Sequence, residues 1–416
     1  MKLRFSLILL LCFSFCTVAT YDAQAKIKLS PKITFEEEYT DNLFLDHEDE
    51  KDEWITTVSP GVAIKVESRW IDLSLDYSFR YEHYLIHDEL TDFDFEGGQR
   101  ADLGTTLFEG RPFSVGINGT IRRETLDESE NNSDANELIN KSTVYDLTVY
   151  PRYRIRLGGQ SSLVFGYLYD QTYHEDSRGD DYQGHSGRVS LIKELSTNTE
   201  LSANYTYKIN KSDDEDDYDR QSTSLGIKQQ LGPRTTVELE GGYSTIEYSD
   251  IDYETEGVTW NADITYRLSA SLTLELMFSQ DFDDSSTNGL TESRDASFAV
   301  DYVKDSFGAS LQAYWEDTDY VRLNREDESY GGLFSLSIPL YSNLKTGLTA
   351  EYETSEYRGD IDKTVDEYVL GVSFDYEISR FLTSLEYKHR VNDSDIETDV
   401  DDYTENTVTL SVRVRF

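Results

Sequence analysis

The last residues of the chain read TVTLSVRVRF, Thr407 to Phe416, and every second side chain changes character. Val408, Leu410, Val412, Val414 and Phe416 share one side of an extended strand, while Thr407, Thr409, Ser411, Arg413 and Arg415 share the other. One face is apolar and the other carries two guanidiniums. A half-buried sandwich strand and a lipid-facing strand both read this way, so the segment takes its meaning from the rest of the chain.

The same alternation recurs from end to end. In WIDLSLDYSFRYEHY, Trp70 to Tyr84, the residues Ile71, Leu73, Leu75, Tyr77, Phe79 and Tyr81 oppose Asp72, Ser74, Asp76, Ser78, Arg80 and Glu82. Further on, Leu201, Ala203, Tyr205, Tyr207 and Ile209 oppose Ser202, Asn204, Thr206, Lys208 and Asn210, and the run Tyr368 to Ile378 repeats the pattern. These runs exceed the usual sandwich strand of about 5–6 residues. Helical spacing of apolar residues is nowhere sustained.

The connections alternate as well. Short turns fall near Glu67–Arg69, Glu109–Pro112, Gly158–Ser161, Ser196–Thr199, Gly232–Thr235, Ser269–Ser271, Lys304–Ser306, Tyr341–Asn343 and Ser379–Arg380. Between them lie longer acidic segments such as Thr125–Lys141 and Val321–Glu328. Short turns at one end and long loops at the other describe an antiparallel up-and-down barrel of the outer membrane, with periplasmic turns and extracellular loops. Counting the turns predicts about 18–20 strands, within the range of such barrels. Lipid also explains the unequal faces: only a closed sheet pairs every backbone group in a bilayer, with apolar side chains outward and polar ones toward a wet lumen.

The first residues fit this compartment. Lys2 and Arg4 precede an apolar run from Phe5 to Ala19, and Ala23-Gln24-Ala25 offers small residues to a signal peptidase. The expectation is a signal peptide over 1–25 and a barrel over 26–416. Cys16 follows Phe15 and Cys12 follows Leu11, where a lipidation signal calls for a small residue. Both cysteines lie in the leader, so the predicted mature chain has none. No other apolar stretch approaches the roughly 20 residues of a spanning helix.

The net charge is -43, the hydrophobic fraction 38%, and there are 30 tyrosines. The acidity gathers in HEDEKDE (His47–Glu53), DDEDDYD (Asp213–Asp219) and DIETDVDD (Asp395–Asp402), which read as solvated loops. Tyr167, Tyr169 and Tyr173, with Trp260 and Tyr266, read as girdle residues at the headgroup level.

YTDNLF (Tyr39–Phe44), WITTVSPGVAIKV (Trp54–Val66) and LSLDYSFRYEHY (Leu73–Tyr84) together resemble the opening of the β-barrel porin 2 family of Gram-negative outer-membrane proteins. Beyond about residue 90 the resemblance is one of architecture. Members of that family are often found with exopolysaccharide or capsule gene clusters. The resemblance therefore implies a conduit for a surface polysaccharide, with a general diffusion porin as the alternative, and it transfers no site residues. The terminal Phe416 resembles the C-terminal signal read by the barrel assembly machinery. The expected partners are outer-membrane lipid and lipopolysaccharide, that machinery, and periplasmic polysaccharide-export proteins; no nucleic acid is expected.

Chemistry leaves few marks. The histidines are His47, His83, His87, His174, His185 and His389. GHSGR, Gly184 to Arg188, lacks the closing glycine and the strand-turn-helix setting of a nucleophile elbow. His174 and His185 flank a loop with Glu175, Asp176, Asp180 and Asp181 and offer a rim hydrolase as a third reading. No acidic loop has the spacing of an EF-hand, and neither a metal site nor a cofactor is expected. The reading is of a protein without enzymatic activity.

The lumen carries the stronger signal. Arg152, Arg154 and Arg156 share an inward face near the turn at Gly158, Arg413 and Arg415 lie inward near the C-terminus, and Arg267 approaches another short turn. All stand at the periplasmic mouth, opposite the acidic loops, where they would draw in an anionic solute. Alternatively they pair with inward Asp146, Glu377 or Glu386 as a structural network. Tyr84 and Tyr150 are candidate stacking faces for sugar rings.

Overall fold

The computed structural model describes residues 25–91, 93–95, 97–127, 130, 138–212, 216–249, 251–284, 289–359, 362–396 and 402–416. Residues 1–24 of the predicted leader 1–25, with Cys12 and Cys16, fall outside this set, as do positions 213–215 and 397–401 of the acidic runs.

The strands are β1 (Lys26–Thr40), β2 (Glu53–Glu67), β3 (Ile71–Phe79), β4 (Tyr81–Tyr84), β5 (Gln99–Leu107), β6 (Phe113–Thr125) and β7 (Lys141–Gly158). They continue as β8 (Ser161–His174), β9 (Tyr182–Ser196), β10 (Thr199–Ser212), β11 (Tyr218–Leu231), β12 (Thr235–Tyr248), β13 (Glu254–Arg267) and β14 (Leu272–Asp284). The last are β15 (Leu290–Lys304), β16 (Phe307–Tyr320), β17 (Glu326–Tyr341), β18 (Leu344–Arg358), β19 (Lys363–Ile378), β20 (Phe381–Ser394) and β21 (Tyr403–Arg415). A single 3-10 turn, Asp88–Leu90, is the one helical element among the described residues. Each strand pairs antiparallel with its neighbour, and β21 returns to β1 with the register Lys32↔Arg415 to Thr40↔Thr407. The sheet is closed.

Both β3 and β4 pair with β2, so they are two halves of one stave interrupted at Arg80, and the wall has 20 staves. At the break the Arg80 N–H donates to the Gly98 carbonyl (2.7 Å) in place of the ladder. The short connections fall where the sequence placed them. Strands mostly of 13 to 18 residues are longer than the roughly 9–11 that a bilayer requires, so the wall projects beyond the membrane.

Curvature decides which face is inside. Side chains converge on the concave face, so contacts that reach over an intervening strand belong there. Lys32 of β1 meets Asp76 of β3, Arg80 meets Glu36 of β1, Asn204 of β10 reaches Glu240 of β12 (3.3 Å), and Tyr314 of β16 meets Glu353 of β18. All belong to the polar set. The other set, including Leu225, Val258, Leu311, Phe334, Leu370 and Leu410, is exposed and forms the lipid-facing belt. Tyr167, Tyr169, Tyr173, Trp260 and Tyr266 share that outward register. Closure is what allows this inversion of the usual rule, because lipid replaces a packed core as the apolar neighbour.

Candidate functional site

The lumen is the concave surface of the barrel. Among the described residues no separate domain fills it, and loops and the outer end of β14 lean in from the long-loop end.

At the short-turn end, register puts Arg152, Arg154 and Arg156 inward on β7, since their neighbours Pro151, Tyr153 and Ile155 share the outward face with Val115, Phe113 and Leu163. All three are exposed, and Arg152 Nε donates to Ser114 Oγ (2.8 Å). Asp146 is engaged elsewhere: it pairs with Arg122 (2.6 Å) and accepts from Thr120 (3.0 Å) and Thr172 (2.6 Å). Glu386 sits 3.6 Å from Lys388. Arg413 and Arg415 are inward on β21, where Arg413 Nε donates to Thr34 (3.3 Å), and Arg267 is inward at the end of β13. Phe416 ends the seam, its N–H donating to the Pro31 carbonyl (3.0 Å).

Sequence reading missed the opposite wall. From β14 to β19 the inward carboxylates include Glu275, Asp295, Asp301 and Glu316, then Glu351, Glu353, Glu367, Asp375 and Glu377. The inward cations of this arc, Lys345 and Lys363, stand at its two rims. The signal was present as alternating acids, as in Glu351 and Glu353 or Asp375 and Glu377, but only the circular order of strands assembles them into one wall. That wall lies across the lumen from the β7 arginines, so charge is segregated across the pore.

The long-loop mouth is narrowed. Leu43, Ile55 and Tyr84 form a buried cluster with Leu90 and Leu138 packed against it. Tyr84 donates to Glu82 (2.9 Å) and is buried, so it offers no stacking face. Tyr150 lies flat across Gly116, where a Cβ would stand 1.9 Å from its ring, so one ring face is taken by the wall. Arg325, in the connection after β16, forks onto Asp127 (3.2 and 3.3 Å) at the end of β6 and onto Asp327 (2.8 Å). In a wall of 20 staves these two connections are diametrically opposed, so the bridge crosses the mouth. Burial acts to lower the Arg325 pKa, but Asp327 and Asp127 overcome it and hold the guanidinium above its ordinary value.

Two expectations are corrected. Glu53 is no solvated loop acid: its side chain is fully buried and accepts the N–H groups of Trp54 (2.8 Å), Leu85 (2.9 Å), Ile86 (2.8 Å) and His87 (2.8 Å), together with His87 Nδ1 (2.9 Å). It ties the connection after β4 onto β2. His174 and His185 do not meet: the register Thr172↔Tyr182 puts His174 inward, 3.7 Å from Asp181, and His185 outward against Tyr167 (2.7 Å). Among the described residues no group of three or more His, Cys, Asp or Glu is placed to hold a metal.

A family model described as MetA-pathway of phenol degradation matches residues 104–294. That stretch does not overlap residues 39–84, which carry the likeness to the porin 2 family. None of the curated proteins matches. Among solved structures, the FrpB iron transporter from Neisseria meningitidis (F3-3 variant) is similar at 9% identity and a TM-score of 0.51, over 93% of this chain and 82% of that one. The siderophore receptor PirA from Pseudomonas aeruginosa gives 12% identity and a TM-score of 0.49, over 94% and 80%. OccK2 (OpdF) from the same species gives 12% and 0.44, over 94% and 98%. At such identity the likeness to FrpB shows the fold alone. The chain is a β-barrel of the bacterial outer membrane.

Proposed function

We propose that this barrel is a passive diffusion channel for small hydrophilic solutes, with a preference for cations. The observation that carries the reading is the acidic arc from β14 to β19, whose inward cations stand only at its rims. Carboxylates along a low-dielectric wall focus a field that concentrates counter-ions in the passage. The barrel acts without catalysis and without a cofactor. Reconstituted in a planar bilayer under a salt gradient, it gives a steady conductance with a reversal potential of the sign expected for cations. An anion-selective reversal potential overturns the reading.

A second reading, export of an acidic surface polysaccharide with periplasmic partners, is favoured by one observation: the exposed column Arg152, Arg154 and Arg156 at the short-turn mouth. The acidic far wall opposes it by like-charge repulsion. Acidic polysaccharide added on the short-turn side blocks the current under this second reading and leaves it unchanged under the first.

A further inference from the structure

We propose that the outer ends of β14, β15 and β16 form a gate that swings between the lumen and the wall, hinged where Trp260 meets Gln280. The inference rests on the channel reading for its consequence, though not for its geometry.

The ladder between β13 and β14 starts at Arg267↔Thr273 and stops at Trp260↔Gln280. Their other neighbours stay paired further out, β12 with β13 to Glu247↔Glu254 and β14 with β15 to Asp284↔Leu290. Beyond the hinge Asp281–Asp284 leave the wall and lie on the inner face of β10 to β13. Asp284 accepts from Lys208 (2.7 Å), Asn210 (2.9 Å) and Tyr218 (2.5 Å). Arg220 donates to the Phe282 carbonyl (2.6 Å) and pairs with Asp281. Phe282 is 3% exposed in a cluster with Tyr218, Ile246, Tyr248 and Leu290, against which Val321 packs. A Cβ on Gly257 would lie 2.9 Å from the Phe282 ring, so glycine is what lets the ring close.

The sequence describes a different arrangement. In LTLELMFSQDFDD, alternation puts Leu274, Leu276, Phe278, Gln280 and Phe282 on the outward face. Continuing the register beyond Trp260↔Gln280 sets Phe282 opposite Val258 and Asp284 opposite Glu256. In that zipped state Phe282 joins Trp260 at the outer girdle, Asp281 and Asp283 face water, and the open edge of β13 is paired. The tucked state satisfies Asp284, Lys208 and Arg220 and the zipped state the backbone edge of β13, so two sets of partners compete for one segment, which is the requirement for a two-state element. The unpaired edge, Glu254–Thr259, lies toward the long-loop end from Trp260. Zipping draws β15 and β16 outward and widens the mouth.

Cysteine traps test this, because positions 26–416 contain no cysteine. Lys208→Cys/Asp284→Cys, joined by a short reversible bis-thiol linker, holds the tucked state. Linked channels in a planar bilayer lose the large open state and recover it on reduction, whereas a conducting channel with equal conductance before and after cleavage overturns the gate. Glu256→Cys/Asp284→Cys forms a disulfide only from the zipped state, and its appearance on oxidation is read by mass spectrometry. If none forms, the gate is overturned whatever the conductance; if it forms in a barrel that passes no current, the gate stands and the channel reading fails.

Discussion

Two joints of the wall differ in a way that runs against sequence distance. The joint between β21 and β1 brings the two ends of the barrel together, yet it is stitched at its outer end. Asn406 donates its N–H and Nδ2 to Asp41 (2.7 Å each), and Asn42 Nδ2 donates to the carbonyls of Thr404 (3.0 Å) and Asp46 (2.8 Å). The joint between β13 and β14 links strands separated by one short turn, yet its ladder stops partway. Nearness along the chain therefore does not set how fully two staves pair. What each edge finds to hold it does: Asp41 and Asn42 act as a staple, whereas Phe282 and Asp284 are drawn off by the inner wall.

The largest expected difference is in hydrogen exchange. Alternate amides of Glu254–Thr259 lack a ladder partner on β14 and should exchange faster than those of Thr34–Thr40 by orders of magnitude. Equal protection would erase the comparison.

Next comes Asn42→Ala. The side chain is fully buried, and its loss leaves the Thr404 and Asp46 carbonyls and the Asp46 N–H without it, at a cost of about 3 kcal/mol. Denaturant unfolding in detergent should show this, while Phe282→Ala should instead favour the large open state of the channel. Asp41→Ala should cost less, about 2 kcal/mol, and a cycle with Asn406→Ala should show the two coupled.

The smallest effect tests the walls. Glu275→Gln, Asp301→Asn and Glu377→Gln together should lower the cation preference, and Arg152→Ser, Arg154→Ser and Arg156→Ser together should raise it, both read as shifts of reversal potential with stability unchanged.

Much of the fold was legible because its signal is local. Alternation assigns each residue a face within its own strand, and the turn residues mark where strands end. The inward register of Arg152, Arg154 and Arg156 could be read from the same period. Tyr84 faces inward as expected, but a sequence does not reveal that Leu43 and Ile55 cover it. For His174 and His185 the relation between two strands matters, and it depends on the register across a loop. In the pairing Thr172↔Tyr182, residues of the same face have numbers of the same parity, so an even and an odd histidine fall on opposite sides of the wall.

The sequence by itself determined an antiparallel barrel of about 20 strands, its lipid and lumen faces, and its short-turn and long-loop ends. All of these follow from a period of two residues and from connection length. Only the tertiary structure decided the acidic wall, the burial of Glu53, the bridge from Arg325 to Asp127 and the inward tuck of Phe282. Each depends on the concave curvature of a closed sheet, which brings together side chains from strands far apart along the chain and lets them compete with the ladder for the same segment.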